Sequence, residues 1–160
     1  MRALAIMALA AAVAGPLPAW AAGPNDACVN QANGAYDAVA SQDWQAHFRN
    51  SDANAIRMIA GTWYTEIPNQ QLGMIAYTYE SYLPTQIFDY RQRTCGNGGT
   101  CSDSYGTGMF GAETQADGSV FVTRNFSDNN RRNACGGFYV RFVDPNTMVT
   151  QDGGTYRRAQ

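Results

Sequence analysis

Two hydrophobic periods divide the chain near Gly61. Before it, Val29, Ala32, Tyr36, Val39 and Ala40 recur every three or four positions, and Trp44 and Phe48 follow four apart, the spacing that lines one face of an α-helix. This predicts an amphipathic helical lead-in over 25–50, interrupted at Gly34. Ser51 and Asp52 offer side-chain oxygens to the free amides of a first turn, and so predict a second, short helix through Ile56 to Ile59 that Gly61 ends. After Gly61 apolar and polar residues alternate, and clusters of Gly, Pro, Asn and Asp break the alternation at short intervals. Eight strands are predicted, at 62–67, 73–82, 86–94, 105–114, 119–126, 137–143, 147–151 and 155–158. The fold class that follows is mainly β: an eight-stranded antiparallel up-and-down barrel preceded by an N-terminal helical segment.

Alternation also assigns faces, because successive side chains on a strand point to opposite sides. With Trp63 inward, Thr65 and Ile67 follow it. On the second strand Ile75, Tyr77 and Tyr79 are the better lumen candidates, leaving Met74, Ala76, Thr78 and Glu80 outside. On the third, Phe88 and Tyr90 are placed inside, since the other choice would bury Arg91 and Arg93 without partners. Val120, Val122, Arg124 and Phe126 share a face of the fifth strand, and Phe138, Val140 and Phe142 a face of the sixth. The candidate ligand-binding set is therefore Tyr77, Tyr79, Phe88, Tyr90, Arg124, Phe138 and Val140. A lone interior arginine beside tyrosine hydroxyls suits the carboxylate of an acidic amphiphile, whose tail the rings would cover. Two alternatives stand beside this: a one-residue bulge that turns Arg124 to solvent, and a barrel filled entirely by its own side chains.

The N-terminus changes the picture. Met1-Arg2, an apolar run over 3–13, Gly15, Pro16 and Pro18, then Ala19-Trp20-Ala21 have the layout of a secretory signal peptide cleaved after Ala21. The domain reading is then signal peptide at 1–21, helical segment at 22–58 and barrel at 59–160, with a soluble mature protein expected. All 11 basic residues are arginine, a usage that fits a GC-rich bacterial genome, so the expected address is the periplasm or the exterior. Removing Arg2 with the signal shifts the formal charge from −2 by one unit, to −3, which offers no electrostatic footprint for nucleic acid. No stable membrane insertion is expected either, since the apolar run is too short for a permanent anchor.

Four cysteines in an exported chain read as disulfides. Cys95 and Cys101 flank a Gly-rich hairpin tip and are paired in this reading, leaving Cys28 to reach Cys135 and lock the lead-in to the barrel mouth. Spacing alone leaves the other two connectivities open. No metal site is expected, because there is no Cys-x-x-Cys and His47 is the only histidine.

Gly61-Thr62-Trp63-Tyr64, at the start of the first of eight strands, resembles the lipocalin and wider calycin pattern. The resemblance covers about 59–158 and implies a closed barrel whose tryptophan lies across the base. It further implies that an arginine near the last strand, Arg157 or Arg158 here, packs on that ring and seals the floor. The long helical lead-in and the lack of a C-terminal helix depart from lipocalins proper, so a compact bacterial calycin relative is the closer description.

Catalysis lacks its usual parts. A triad would have to reach His47 from the barrel, the cysteines are expected to be oxidised, and nothing in the spacing of Glu66, Glu80 and Asp89 marks them as an acid and base pair. The sequence therefore predicts a non-enzymatic protein without cofactor that holds a small hydrophobic or amphiphilic ligand in its barrel. The alternative is a secreted inhibitor, or an envelope structural or interaction module, whose protein partner meets the mouth loops at 94–104 and 127–134.

Overall fold

The structure, a computed structural model, describes residues 46–129 and 133–159, with the backbone alone described at 133–135. The signal peptide, the lead-in up to residue 45, Cys28 and its pairing with Cys135, and the Arg131-Arg132 pair lie outside the described residues. Residues 46–49 are helical. A short helix, α1 (Ala53–Ile59), follows, and Asp52 caps it by accepting from the Ala55 amide at 2.7 Å.

Eight strands follow in the order expected: β1 (Gly61–Asn69), β2 (Met74–Tyr82), β3 (Ile87–Gly96), β4 (Cys101–Thr114), β5 (Val120–Asp128), β6 (Asn133–Asp144), β7 (Thr147–Thr150) and β8 (Thr155–Arg158). Each pairs antiparallel with the next, and β8 pairs back onto β1, so the sheet closes into an up-and-down barrel. This eight-stranded antiparallel closure is consistent with a calycin-like fold. Closure removes the free edges that a meander would otherwise leave open to pairing with other chains.

The barrel has an apolar half and a polar half. Around the start of β1, Trp63, Tyr82, Phe88, Phe110, Val120, Val140 and Met148 are buried together with Ala55 and Ile59 of α1. The helix closes this end as a floor because its only two buried residues are four apart and so share one face. Toward the other end the inward positions turn polar, with Thr65, Thr78, Gln92 and Ser104. Gln92 donates to Thr78 at 3.1 Å, and the hydroxyls of Tyr90 and Ser104 lie 2.9 Å apart.

The floor is held by one arginine. The Arg158 guanidinium lies 4.2 Å from the centroid of the Trp63 ring and donates to the carbonyls of Ala60 and Met58 at the end of α1. Trp63 Nε1 donates to the Ile59 carbonyl at 2.7 Å. Gly61 makes room for this arrangement, since a Cβ there would stand 2.2 Å from Arg158 Nη1 and its φ of 127° disfavours any side chain. Of the two terminal arginines, Arg158 takes the floor; Arg157 sits opposite Tyr64 on the outer face.

The segment before α1 is strapped to the outside of the barrel. Ser51 Oγ accepts from the Ala112 amide, Asp52 Oδ2 accepts from the Thr114 amide, and Gln86 Nε2 donates to the Phe48 carbonyl. His47 lies 2.5 Å from Glu113 and edge-on to Phe121, so it packs against the barrel wall.

Candidate functional site

Burial and register together show where each candidate points. Trp63 is fully buried, and residues paired directly across a ladder share a face. The β1–β2 register sets Trp63 opposite Glu80 and Thr65 opposite Thr78, so Thr78, Glu80 and Tyr82 face the lumen. Tyr77 and Tyr79, expected inside, face outward, and Tyr79 is 46% exposed. The reason is a hairpin offset. Strands ending at Ile67 and resuming at Gly73 would bring Trp63 opposite Tyr77, but β1 runs on to Asn69 and β2 begins at Met74. The turn centre thereby moves, the pairing shifts by an odd number of residues, and every side chain of β2 changes face.

Phe88, Tyr90, Arg124, Phe138 and Val140 do point inward, in line with their registers. Arg124 is committed there. Its Nη1 donates to Glu80 Oε1 at 2.7 Å, the Tyr82 hydroxyl donates to Glu80 Oε2 at 2.7 Å, and both charged side chains are nearly buried. The guanidinium carbon lies 5.0 Å from the Phe88 centroid and 4.5 Å from that of Phe138, so an aromatic ring stands on either hand. Burial, reinforced by the Glu80 charge, pushes the Tyr82 hydroxyl well above its ordinary range. Phe126 fills more of this level, with its ring 5.4 Å from Phe88 and 5.2 Å from Tyr90. Gly106 accommodates Tyr90, because a Cβ there would stand 2.5 Å from the tyrosine ring. The middle of the barrel is thus occupied by rings around a buried ion pair.

A broad concavity opens beside β3. A groove of ≈ 1180 Å³ is lined by Tyr77, Tyr79, Asp89, Arg91, Arg93 and Tyr105, outward residues of β2, β3 and β4, and reaches between the strands to Tyr90, Gln92 and Ser104, which belong to the inward face. Register arranges them in rows across the sheet: Tyr64, Tyr79, Arg91 and Tyr105 in one, Glu66, Tyr77, Arg93 and Asp103 in the next, and Thr62, Ser81, Asp89 and Thr107 in a third. Tyr105 is 54% exposed. The rings of Tyr64 and Tyr79 lie 4.8 Å apart, and Tyr64 donates to Glu66 at 2.5 Å, a bond that raises the Tyr64 hydroxyl to about 12. Arg93 holds Asp103 through two bonds, from Nε at 2.8 Å and from Nη2 at 3.0 Å. This fork lowers the Asp103 carboxyl.

The carboxylates do not converge. Glu80 is inside, whereas Glu66 and Asp89 are on the outer face. Cys95 and Cys101 stand opposite each other at the β3–β4 tip and form a disulfide, one of the pairings left open by their spacing and the one expected here, at the mouth end of the groove. A disulfide fits an oxidising, extracytoplasmic setting. Among the described residues no helix is long and apolar enough to cross a membrane. Asp89, Arg91 and Tyr105 were not among the sequence-derived candidates. Their signal was present in the outward set of β3, which places charged residues beside strand tyrosines.

Neither protein-family models, nor curated proteins, nor solved structures yield a match to this chain.

Proposed function

We propose that the chain is an exported, non-catalytic binding protein of calycin-like build, and that its small amphiphilic ligand lies in the outer groove of β2 to β4 rather than in the lumen. The observation that carries this is the contrast between the two faces of β3. On the inner face, Phe88 and Tyr90 pack against Phe126 and flank an arginine already bound to Glu80. On the outer face, Tyr79 and Tyr105 leave about half of their surfaces in water on either side of Arg91.

Tyrosine rings exposed in a concave patch with arginine are the residue types that carry most of the binding energy at recognition sites, because a stiff ring buries much area at little entropic cost. A filled lumen, by contrast, would have to open its ion pair to admit a guest, leaving charge buried and unpaired. The Trp63 and Arg158 floor supports kinship with calycin barrels, and the separated carboxylates support a binding role over hydrolysis.

Native mass spectrometry of the protein purified from its own host tests this. A co-purifying small molecule should appear on the wild type and vanish from the Tyr79→Ala/Tyr105→Ala variant, while Phe138→Leu retains it. An adduct that survives in the tyrosine variant and is lost from Phe138→Leu would return the site to the lumen.

A further inference from the structure

We propose that the groove selects an acidic carbohydrate, a pyranose bearing one carboxylate, with the carboxylate on Arg91 and the ring against Tyr79 and Tyr105. This deepens the reading of the groove as the binding site and rests on it.

Arg91 and Arg93 stand two residues apart on the same face of β3, yet they differ in their commitments. Arg93 is held in a two-bond fork by Asp103, which fixes its geometry and neutralises its charge. Arg91 has no hydrogen-bond or ion-pair partner among the described residues, and Tyr79 and Tyr105 lie directly across from it on either side. Asp89, the next outward residue, likewise has no partner among the described residues, and its neighbours across the ladder are the hydroxyl residues Ser81 and Thr107. Along β3 the groove therefore offers a neutralised pair, then a cation between two phenol rings, then a carboxylate between two hydroxyls. Successive rows are roughly 7 Å apart, and each spans about 10 Å over its three strands, dimensions that suit one or two sugar rings.

The chemistry of these groups narrows the occupant. A guanidinium with an open fork takes a carboxylate bidentately. A carboxylate flanked by hydroxyls takes neighbouring hydroxyl groups of a polyol, and aromatic faces cover the C–H side of a pyranose. An acyl chain in the same place would desolvate Asp89, Ser81 and Thr107 without bonding them. A neutral sugar would leave Arg91 covered and without a counter-charge, and a polyanion would meet Asp89 and Asp103. A ring with a single acid group answers all of these at once.

Calorimetric titration with a matched pair, cellobiouronic acid and cellobiose, tests the assignment, with dodecanoate and decyl maltoside as comparison probes and backbone amide shifts locating each. The acidic disaccharide should bind about 10- to 100-fold more tightly than the neutral one, the usual worth of a charge-assisted bond. Arg91→Gln should abolish that difference, and Arg93→Gln should change it less. Equal affinity for the two sugars, or dodecanoate alone shifting the groove amides, would overturn the sugar assignment while leaving the groove as a site. No groove shift with any of the four probes would remove both.

Discussion

Arg158 and Trp63 are partners twice over: they pair across the β1–β8 ladder that closes the barrel, and the guanidinium of one covers the indole of the other at 4.2 Å. Closure and floor are one contact. The β1–β8 ladder has two residue pairs, and the Thr65 hydroxyl to the Thr155 carbonyl and the Ala159 amide to the Thr62 carbonyl add bonds across the same seam. Arg158→Ala removes the ring contact and the bonds to the α1 carbonyls, and should destabilise the protein by about 2–4 kcal/mol. Gly61→Ala, which drives a methyl into the same guanidinium at a positive φ, should cost about 1–3 kcal/mol. Urea midpoints at constant m-value measure both.

The Arg124–Glu80 pair makes a different demand. Its side chains are 11% and 7% exposed, so removing the arginine alone leaves Glu80 charged and buried. Arg124→Met should destabilise by about 3–5 kcal/mol, and adding Glu80→Gln should recover most of that loss. The same double-variant cycle reads the function. Ligand affinity per folded molecule should stay unchanged throughout, whereas a lumen site would lose it with Arg124.

Acid stability provides a third check. Asp117 accepts from Ser119 Oγ at 2.6 Å and from Ser119 N at 3.0 Å, and pairs with Arg141; together these lower it from 3.8 to about 2. A depressed folded value means that the unfolded chain binds the proton more readily. The contribution is thus complete above 3.8 and is lost as the pH falls through about 2. Asp117→Asn should therefore be less stable than wild type at neutral pH and should converge with it at the acid end. Thermal melts across that range record the convergence.

Most of the fold is legible in the sequence because its signals are local. Each turn cluster, such as Asp144-Pro145-Asn146, marks a strand end within a few residues, and Asp52 announces α1 by the chemistry of its own side chain. The Gly61-Thr62-Trp63 triplet and Arg158 lie almost a hundred residues apart, but position at the first and last strands ties them together. The faces of β2 were not legible. Both of its faces carry residues that a lumen accepts, and the choice is made by the length of the β1–β2 turn and by Glu80 finding Arg124, 44 residues away. Alternation within a single strand contains neither fact. With β2 reversed, Tyr77 and Tyr79 leave the lumen and join Arg91 and Tyr105, so the outer site became visible only once register was known.

Amide chemical-shift mapping during titration with cellobiouronic acid separates the two faces of the barrel, since it reports where along the strands the bound molecule sits. Shifts should cluster at Tyr77, Tyr79, Arg91 and Tyr105 while Phe88, Arg124, Phe126 and Phe138 stay still. Shifts centred on those four lumen residues, with the outer rows of β2 to β4 unmoved, would contradict a ligand in the outer groove.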